Sequence, residues 1–537
     1  MTGKRAGKGR NAVDPGRDEA SRRTMAFRSG EAIAWAALLL LSAGLRFAFL
    51  GARPPHHDEA IHGHFAWELL HRGSYRYDPT YHGPLQYFVL ALLFAVFGES
   101  DAVLRTYAAA CGVGLTAVPL VVRPLVGRGA ALAMGFLLGF SPSFLYFSRF
   151  ARNDVPVTLF TALALALAWR QRLTSRPLLP WAALFLALHA VSKETIYVTG
   201  VLWVIAGAAL GLWFGPERSL EWVREFVRRN RKELAVAAGV FAGICVVFYT
   251  AFFTWPQDVL FPVKAIRYWY EQHLVQRVGG PWYYHLPRLG LYEFVIFGLA
   301  VTGAIRRRRR LSIPEGFALL WGVAALAMFC YLGEKVPWLA VHQILPWVFP
   351  AGVELAHVAT ATRRWVGKGL AALGVAGTLW SGFAASFLYP TIEPRDPHAE
   401  LLVFVQTTRE EEAVAQEGLE LYRRDSHGIF AAVDGEGSWP LSWQWKGLPV
   451  KWALPSPGDD VPLVVADPGR LDGLKDAWGP SYACRTIPLR AWWVERWEGT
   501  SLRDVTEWFF TRRAWSERGS TDVEVCRKAE RSVNGGR

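Results

Sequence analysis

Cysteine is nearly absent from this 537-residue chain. There are 5 cysteines and no CxxC step, which excludes a zinc-thiolate site of the usual spacing. Cys111, Cys245 and Cys330 lie inside apolar runs and read as packing residues. Cys484 and Cys526 fall in the more polar C-terminal part and can pair if that part faces an oxidising compartment. Charge is also scarce: 20% of residues are Asp, Glu, Lys or Arg against 52% hydrophobic, with a mean hydropathy of +0.16. That excludes an ordinary soluble protein and indicates an integral membrane protein. Acid is the scarcer sign, leaving a formal charge of +13. No aromatic-interleaved basic motif accompanies the excess, so nucleic acid is not an expected partner. No small-residue cleavage site follows the first apolar run, so no cleavable signal peptide is expected.

What is abundant is apolar sequence. Runs at 31–50, 101–122, 129–148, 155–170, 178–192, 195–214, 234–254, 288–305, 315–332, 341–358 and 369–388 read as eleven membrane spans of an α-helical polytopic domain covering 30–389. The run 84–97 is shorter and reads as a helix in the interface, within a first outer loop at 51–100. Residues 1–29 form a basic tail, read as disordered. With that topology the clusters Arg123/Arg128, Arg170/Arg172/Arg176, 218–232, 306–310 and Arg363/Arg364/Lys368 share the side of the tail. The positive-inside rule makes that side the cytoplasm of an inner-membrane protein. Residues 390–537 alternate helical and strand-like patterns and read as a small extracytoplasmic α/β domain. Its Trp-rich piece SWPLSWQW (438–445) reads as a buried aromatic cluster in preference to a carbohydrate platform.

The outer loops hold nearly all the unusual polar groups. The stretch 53–85, RPPHHDEAIHGHFAWELLHRGSYRYDPTYHGPL, carries His56, His57, Asp58, Glu59, His62, His64, Asp78 and His82. Its middle forms a short helix in which Asp58 and His62 share a face, Ile61, Phe65 and Leu69 make an apolar stripe, and Gly73 ends the helix. A carboxylate over an apolar site gains basicity by desolvation and can take a proton from a hydroxyl. The alternative is a solvated loop whose Asp-Glu pair merely caps the helix.

The ordered motifs HDEAIHGHF, YDPTYHGPLQYF, GESDAVLR, SRFARND, SKET and GEKVPWLAVHQ resemble the C-type (GT-C) membrane glycosyltransferases, which include protein O-mannosyltransferases and lipid A aminoarabinose transferases. The nearest resemblance is to bacterial and archaeal membrane proteins named as flippase-activity-associated. It covers about 30–390. It implies that Asp58 is the catalytic base and that Glu59, Arg149, Arg152, Asp154, Lys193, Glu271, His273 and Lys335 bind substrate or its phosphate. It further implies a polyprenyl-phosphate sugar donor, an acceptor that is a lipid, glycan or protein, and surrounding membrane lipids. A divalent metal on His62 and His82 is a weaker expectation. The aminoarabinose enzymes have an acidic-basic pair where this chain has His82-Gly83, so their donor and acceptor do not carry over. Two rivals remain: a transport subunit, which predicts broken helices with charges at mid-membrane, and a non-catalytic scaffold. The charged pairs at 193–194 and 334–335 also read as anchors of helix ends, and Arg149 and Arg152 as headgroup ligands.

Overall fold

The computed structural model describes residues 29–529 except 175, 276–277, 362–364 and 457. Nearly all of the basic tail, and Arg363/Arg364, therefore lie outside the described residues. Every apolar run falls on helix. Among the described residues seven helices are long and apolar enough to cross a membrane singly, and a bent pair makes eight. The other runs are shorter helices, Arg128–Phe140, Asp154–Arg170 and Leu179–Ala190. Leu85–Phe97 has 13 residues, about 20 Å of helix against a hydrocarbon core of about 30 Å.

Three expected boundaries differ. The run 288–305 is not one straight span: His285–Tyr292 and Phe294–Arg307 meet at Glu293 with an 87° bend. The run 129–148 is interrupted at Ser141, whose hydroxyl accepts from the Phe144 amide and starts a separate helix, Pro142–Phe147. Residues 218–232 are not a loop but part of Pro216–Tyr249, kinked at Asn230. Helix on both sides of the kink satisfies most of the backbone there, leaving the basic side chains on the surface.

The first outer loop folds as its pattern requires. His57–Arg72 is helical, Gly73 takes a left-handed conformation and donates its amide to the Leu69 carbonyl, and Asp78 caps the turn Pro79–Tyr81. Gly83 lies so close to the Val191 carbonyl that a Cβ would sit 2.4 Å from the oxygen. Amides of Gly83 and Leu85 donate to the Ser192 and Val191 carbonyls at 3.1 and 2.9 Å, pinning the first loop onto 191–192.

The C-terminal domain is a six-stranded mixed sheet: β1 (Gln406–Thr407), β2 (Ala431–Val433), β3 (Val450–Lys451), β4 (Leu463–Ala466), β5 (Tyr482–Trp493) and β6 (Arg518–Lys528), in the order β1-β5-β6-β4-β2-β3. β2 is parallel to β3 and β4, and the remaining pairs are antiparallel. Cys484 and Cys526 face each other across β5 and β6 and form a disulfide. Helix Arg409–Arg424 packs on one face through Val414 and Ala415. The Trp-rich segment is interior: Trp443 and Trp445 are buried, and Trp443 stacks on Phe94. It also closes on the first-loop helix, where a Cβ on Gly63 would lie 2.7 Å from the Trp443 ring.

Candidate active site

Asp58 occupies the first turn of His57–Arg72, and its side chain is 20% exposed. Its carboxylate pairs with the Arg152 guanidinium, and His57 Nε2 lies 3.1 Å from its other oxygen. Arg152 lies between two acids, with Nε 3.5 Å from Asp154 Oδ2. It rests on Trp338, 3.9 Å from the ring centre. Asp154 is buried at the N-terminus of Asp154–Arg170, where the helix dipole favours an anion. Its Oδ1 accepts from Lys193 Nζ at 2.7 Å and sits 3.0 Å from His342 Nε2. Lys193 also lines a cavity of about 230 Å³, whose wall includes His82, Glu194, Trp269, His273 and Leu339. His82 is stacked on Trp269 and its Nδ1 is 2.9 Å from Glu194 Oε2.

Four predicted binders sit elsewhere. Glu59 is fully buried behind the site. Its oxygens accept from Arg53 (3.0 Å), Arg105 (2.9 and 2.8 Å) and the amides of Ala151 (2.8 Å) and His56 (3.0 Å). Those donors, outweighing burial, hold its carboxyl below the usual carboxylate range. Its acceptors are spent on structure, so it is an anchor and capping-box residue. Arg149 donates to the carbonyls of Leu45, Arg46 and Ala48, capping the C-terminal end of Ser29–Phe47. Lys335 does the same for Ile313–Tyr331, donating to Phe329 and Cys330 at 3.1 and 2.7 Å. Glu271 is exposed and pairs with Arg267 one turn away. His273 does face the cavity, with Nδ1 accepting the Gly333 amide at 3.1 Å.

Residues 81–217 match the family model described as dolichyl-phosphate-mannose-protein mannosyltransferase. An uncharacterised protein of Aquifex aeolicus (strain VF5) is 23% identical over 297 residues, covering 52% of this chain and 55% of that protein, so the match spans about half of its length. The crystal structure of ArnT from Cupriavidus metallidurans bound to undecaprenyl phosphate superimposes with a TM-score of 0.59 at 15% identity, over 95% of this chain and 100% of that one. The archaeal oligosaccharyltransferase AglB from Archaeoglobus fulgidus, in complex with an inhibitory peptide and a dolichol-phosphate, gives 0.51 at 14% identity, over 82% and 69%. The chain has the GT-C glycosyltransferase fold. Residues 81–217 are similar to the mannosyltransferase family model, and the chain shares the fold of these membrane glycosyltransferases.

On this GT-C scaffold the long-range geometry adds residues that spacing alone does not single out. His342, Trp338 and Glu194 stand in motifs the sequence displays, GEKVPWLAVH and SKET, yet their roles depend on pairings such as Asp154 with His342. The metal expectation on His62 and His82 finds little support. His62 Nδ1 is held by Tyr87 at 3.0 Å and His82 Nδ1 by Glu194 at 2.9 Å, and among the described residues neither converges with two further donors. Among the described residues the one converging group of three donors is instead His56, His57 and Asp58. It does not suit a divalent ion. His56 Nδ1 accepts the Asp58 amide, its Nε2 meets the Phe404 carbonyl, and the Arg152 cation already sits on Asp58.

Proposed function

We propose that this chain transfers a sugar from a polyprenyl-phosphate donor to an acceptor hydroxyl at the extracytoplasmic surface, with inversion at the anomeric carbon. The observation that carries the reading is the continuous charge relay Asp58–Arg152–Asp154–Lys193, running from a solvent-touched loop to the wall of an apolar cavity. Asp58 is the general base and receives the acceptor proton as the new C–O bond forms. The bond from the anomeric carbon to the phosphate oxygen breaks, and its electron pair leaves on the polyprenyl phosphate. Lys193 at the cavity wall, with Arg152 behind it, stabilises that developing charge. Trp269 and Leu339 give the cavity the apolar and aromatic walls that a sugar face and an isoprenyl chain favour. Undecaprenyl phosphate in ArnT and dolichol-phosphate in AglB agree with a lipid-phosphate donor.

A transport role has one observation in its favour, the 87° break at buried Glu293. However, one Glu293 oxygen accepts from the Ser141 hydroxyl (2.7 Å) and the Ser143 amide (3.0 Å), bracing the start of Pro142–Phe147. It stands outside the Lys193 cavity. The deciding experiment supplies polyprenyl-phosphate sugars and candidate acceptors to the protein in lipid, comparing wild type with Asp58→Asn. Transfer abolished at least a hundredfold with donor binding retained supports the reading. An Asp58→Asn protein that restores a glycan-deficient strain as well as wild type does refutes it.

A further inference from the structure

The C-terminal domain meets the first outer loop in two places: the Trp-rich helix packs on the middle of His57–Arg72, and the segment 404–407 holds the residues just before Asp58. Three successive residues of the loop are held there. The Gln406 side-chain amide donates to the Pro54 carbonyl at 3.0 Å, and the Thr407 hydroxyl donates to the Pro55 carbonyl at 2.7 Å. His56 Nε2 lies 2.9 Å from the Phe404 carbonyl. That contact fixes the imidazole tautomer: the proton is on Nε2, so Nδ1 is bare and accepts the Asp58 amide at 3.0 Å. His56 is thus the N-cap of the helix that begins with His57 and Asp58. Pro54 and Pro55 have no amide to hold them from within the loop, so their carbonyls are the handles available.

The backbone of the segment is shaped for this contact. Val405 has φ of 47°, a left-handed conformation that a β-branched residue adopts only when its surroundings impose it. The turn presents the Phe404 carbonyl and the Gln406 and Thr407 side chains to the loop together. Gln406 and Thr407 are also β1, paired antiparallel with Ala491 and Arg490 of β5, so the whole sheet backs the clamp.

We propose that segment 404–407 is the positioning element for Asp58, and that holding the acidic loop in register is the role of the C-terminal domain in transfer. The catalytic half of the statement rests on the glycosyltransferase reading above; the clamp itself does not. Gln406 and Thr407 touch no reacting atom and act through the Pro54–Pro55–His56 backbone. A displacement of about 1 Å of a catalytic group costs on the order of a hundredfold in rate.

The test uses the full chain in lipid nanodiscs with Gln406→Leu/Thr407→Val, and Thr407→Ser as the conservative control. Two readouts are taken: amide hydrogen exchange at Asp58 to Ile61, and sugar transfer with kcat separated from donor KM. The expected result is exchange at least tenfold faster in the double variant, kcat lowered tenfold or more, donor KM within about twofold, and both properties near wild type in Thr407→Ser. Unchanged exchange overturns the clamp. Faster exchange with unchanged kcat overturns positioning. If wild type transfers nothing, the glycosyltransferase reading fails, while the exchange readout still decides the clamp.

Discussion

Asp58 and Glu59 are adjacent carboxylates with opposite fates. The helix turns one toward Arg152 and solvent and the other into a cage of two arginines and two amides. Removing a caged acid leaves Arg53 and Arg105 uncompensated, and Arg105 is also fully buried. Glu59→Ala is therefore expected to destabilise the protein by about 3–5 kcal/mol, whereas Asp58→Asn leaves the unfolding midpoint near wild type. Thermal unfolding in detergent separates the two. The sign with pH follows from the depressed Glu59 pKa: its contribution is complete above the ordinary value of 4.5 and fades as pH falls below it toward the folded value. The motif signalled a special acid pair but not that Glu59 is the member buried, because that depends on Arg105, 46 residues away. For Arg149 and Lys335 too, the orphan carbonyls that each cation caps at a helix end are located only in space.

Among elements, those with strong local signals were legible and those shaped by neighbours were not. The first-loop helix, its Gly73 stop, the Asp78 turn and helix Arg409–Arg424 follow capping and periodicity. The break at Glu293 does not, since the residues on either side are apolar and only Ser141 and Ser143 explain the acid's place. Strands β1 and β3 are two residues long, and β6 is a mixed sequence that is a strand because β4 and β5 flank it. One element carries a built-in cost. Glu411, in the first turn of Arg409–Arg424, is buried with a single long contact, 3.4 Å from Gln444 Nε2, and burial pushes its pKa up to about 8. A carboxyl that binds its proton more tightly when folded loses stability as pH rises from about 4.5 to about 8. Glu411→Gln should therefore raise the unfolding temperature of the protein at pH 8.5 and leave it nearly unchanged at pH 5. An equal effect at both values would show that the carboxyl is not the buried acid it is taken for.

For the whole molecule, contacts between loops count crossings that helix length leaves open. His64 and Asp101 both meet the Trp-rich helix, through the Ser442 carbonyl and Trp443 Nε1. They therefore share a side, and Leu85–Phe97 between them does not cross. His273 and Gly333 are bonded and so share a side. Between them lie Ile313–Tyr331, long and apolar enough to cross, and the bent pair at Glu293; if the first crosses, the second must cross too. Five crossings consequently separate the basic helix at 218–232 from the C-terminal sheet: 216–249, the bent pair, 313–331, 337–360 and 365–388. An odd number puts them on opposite faces, so with the positive-inside rule we propose an extracytoplasmic sheet, a side on which the Cys484–Cys526 disulfide would be stable. Exposed cysteines introduced at Arg224→Cys and Asp472→Cys test this parity with a membrane-impermeant maleimide on intact cells. Asp472→Cys should label directly and Arg224→Cys only after permeabilisation. Labelling of both from outside would mean that the bent pair enters and leaves by the same face. Asp58 would then keep its place beside the sheet, since Pro54 and Pro55 are bonded to it, but His273 would be parted from Gly333 and the cavity would lose a wall.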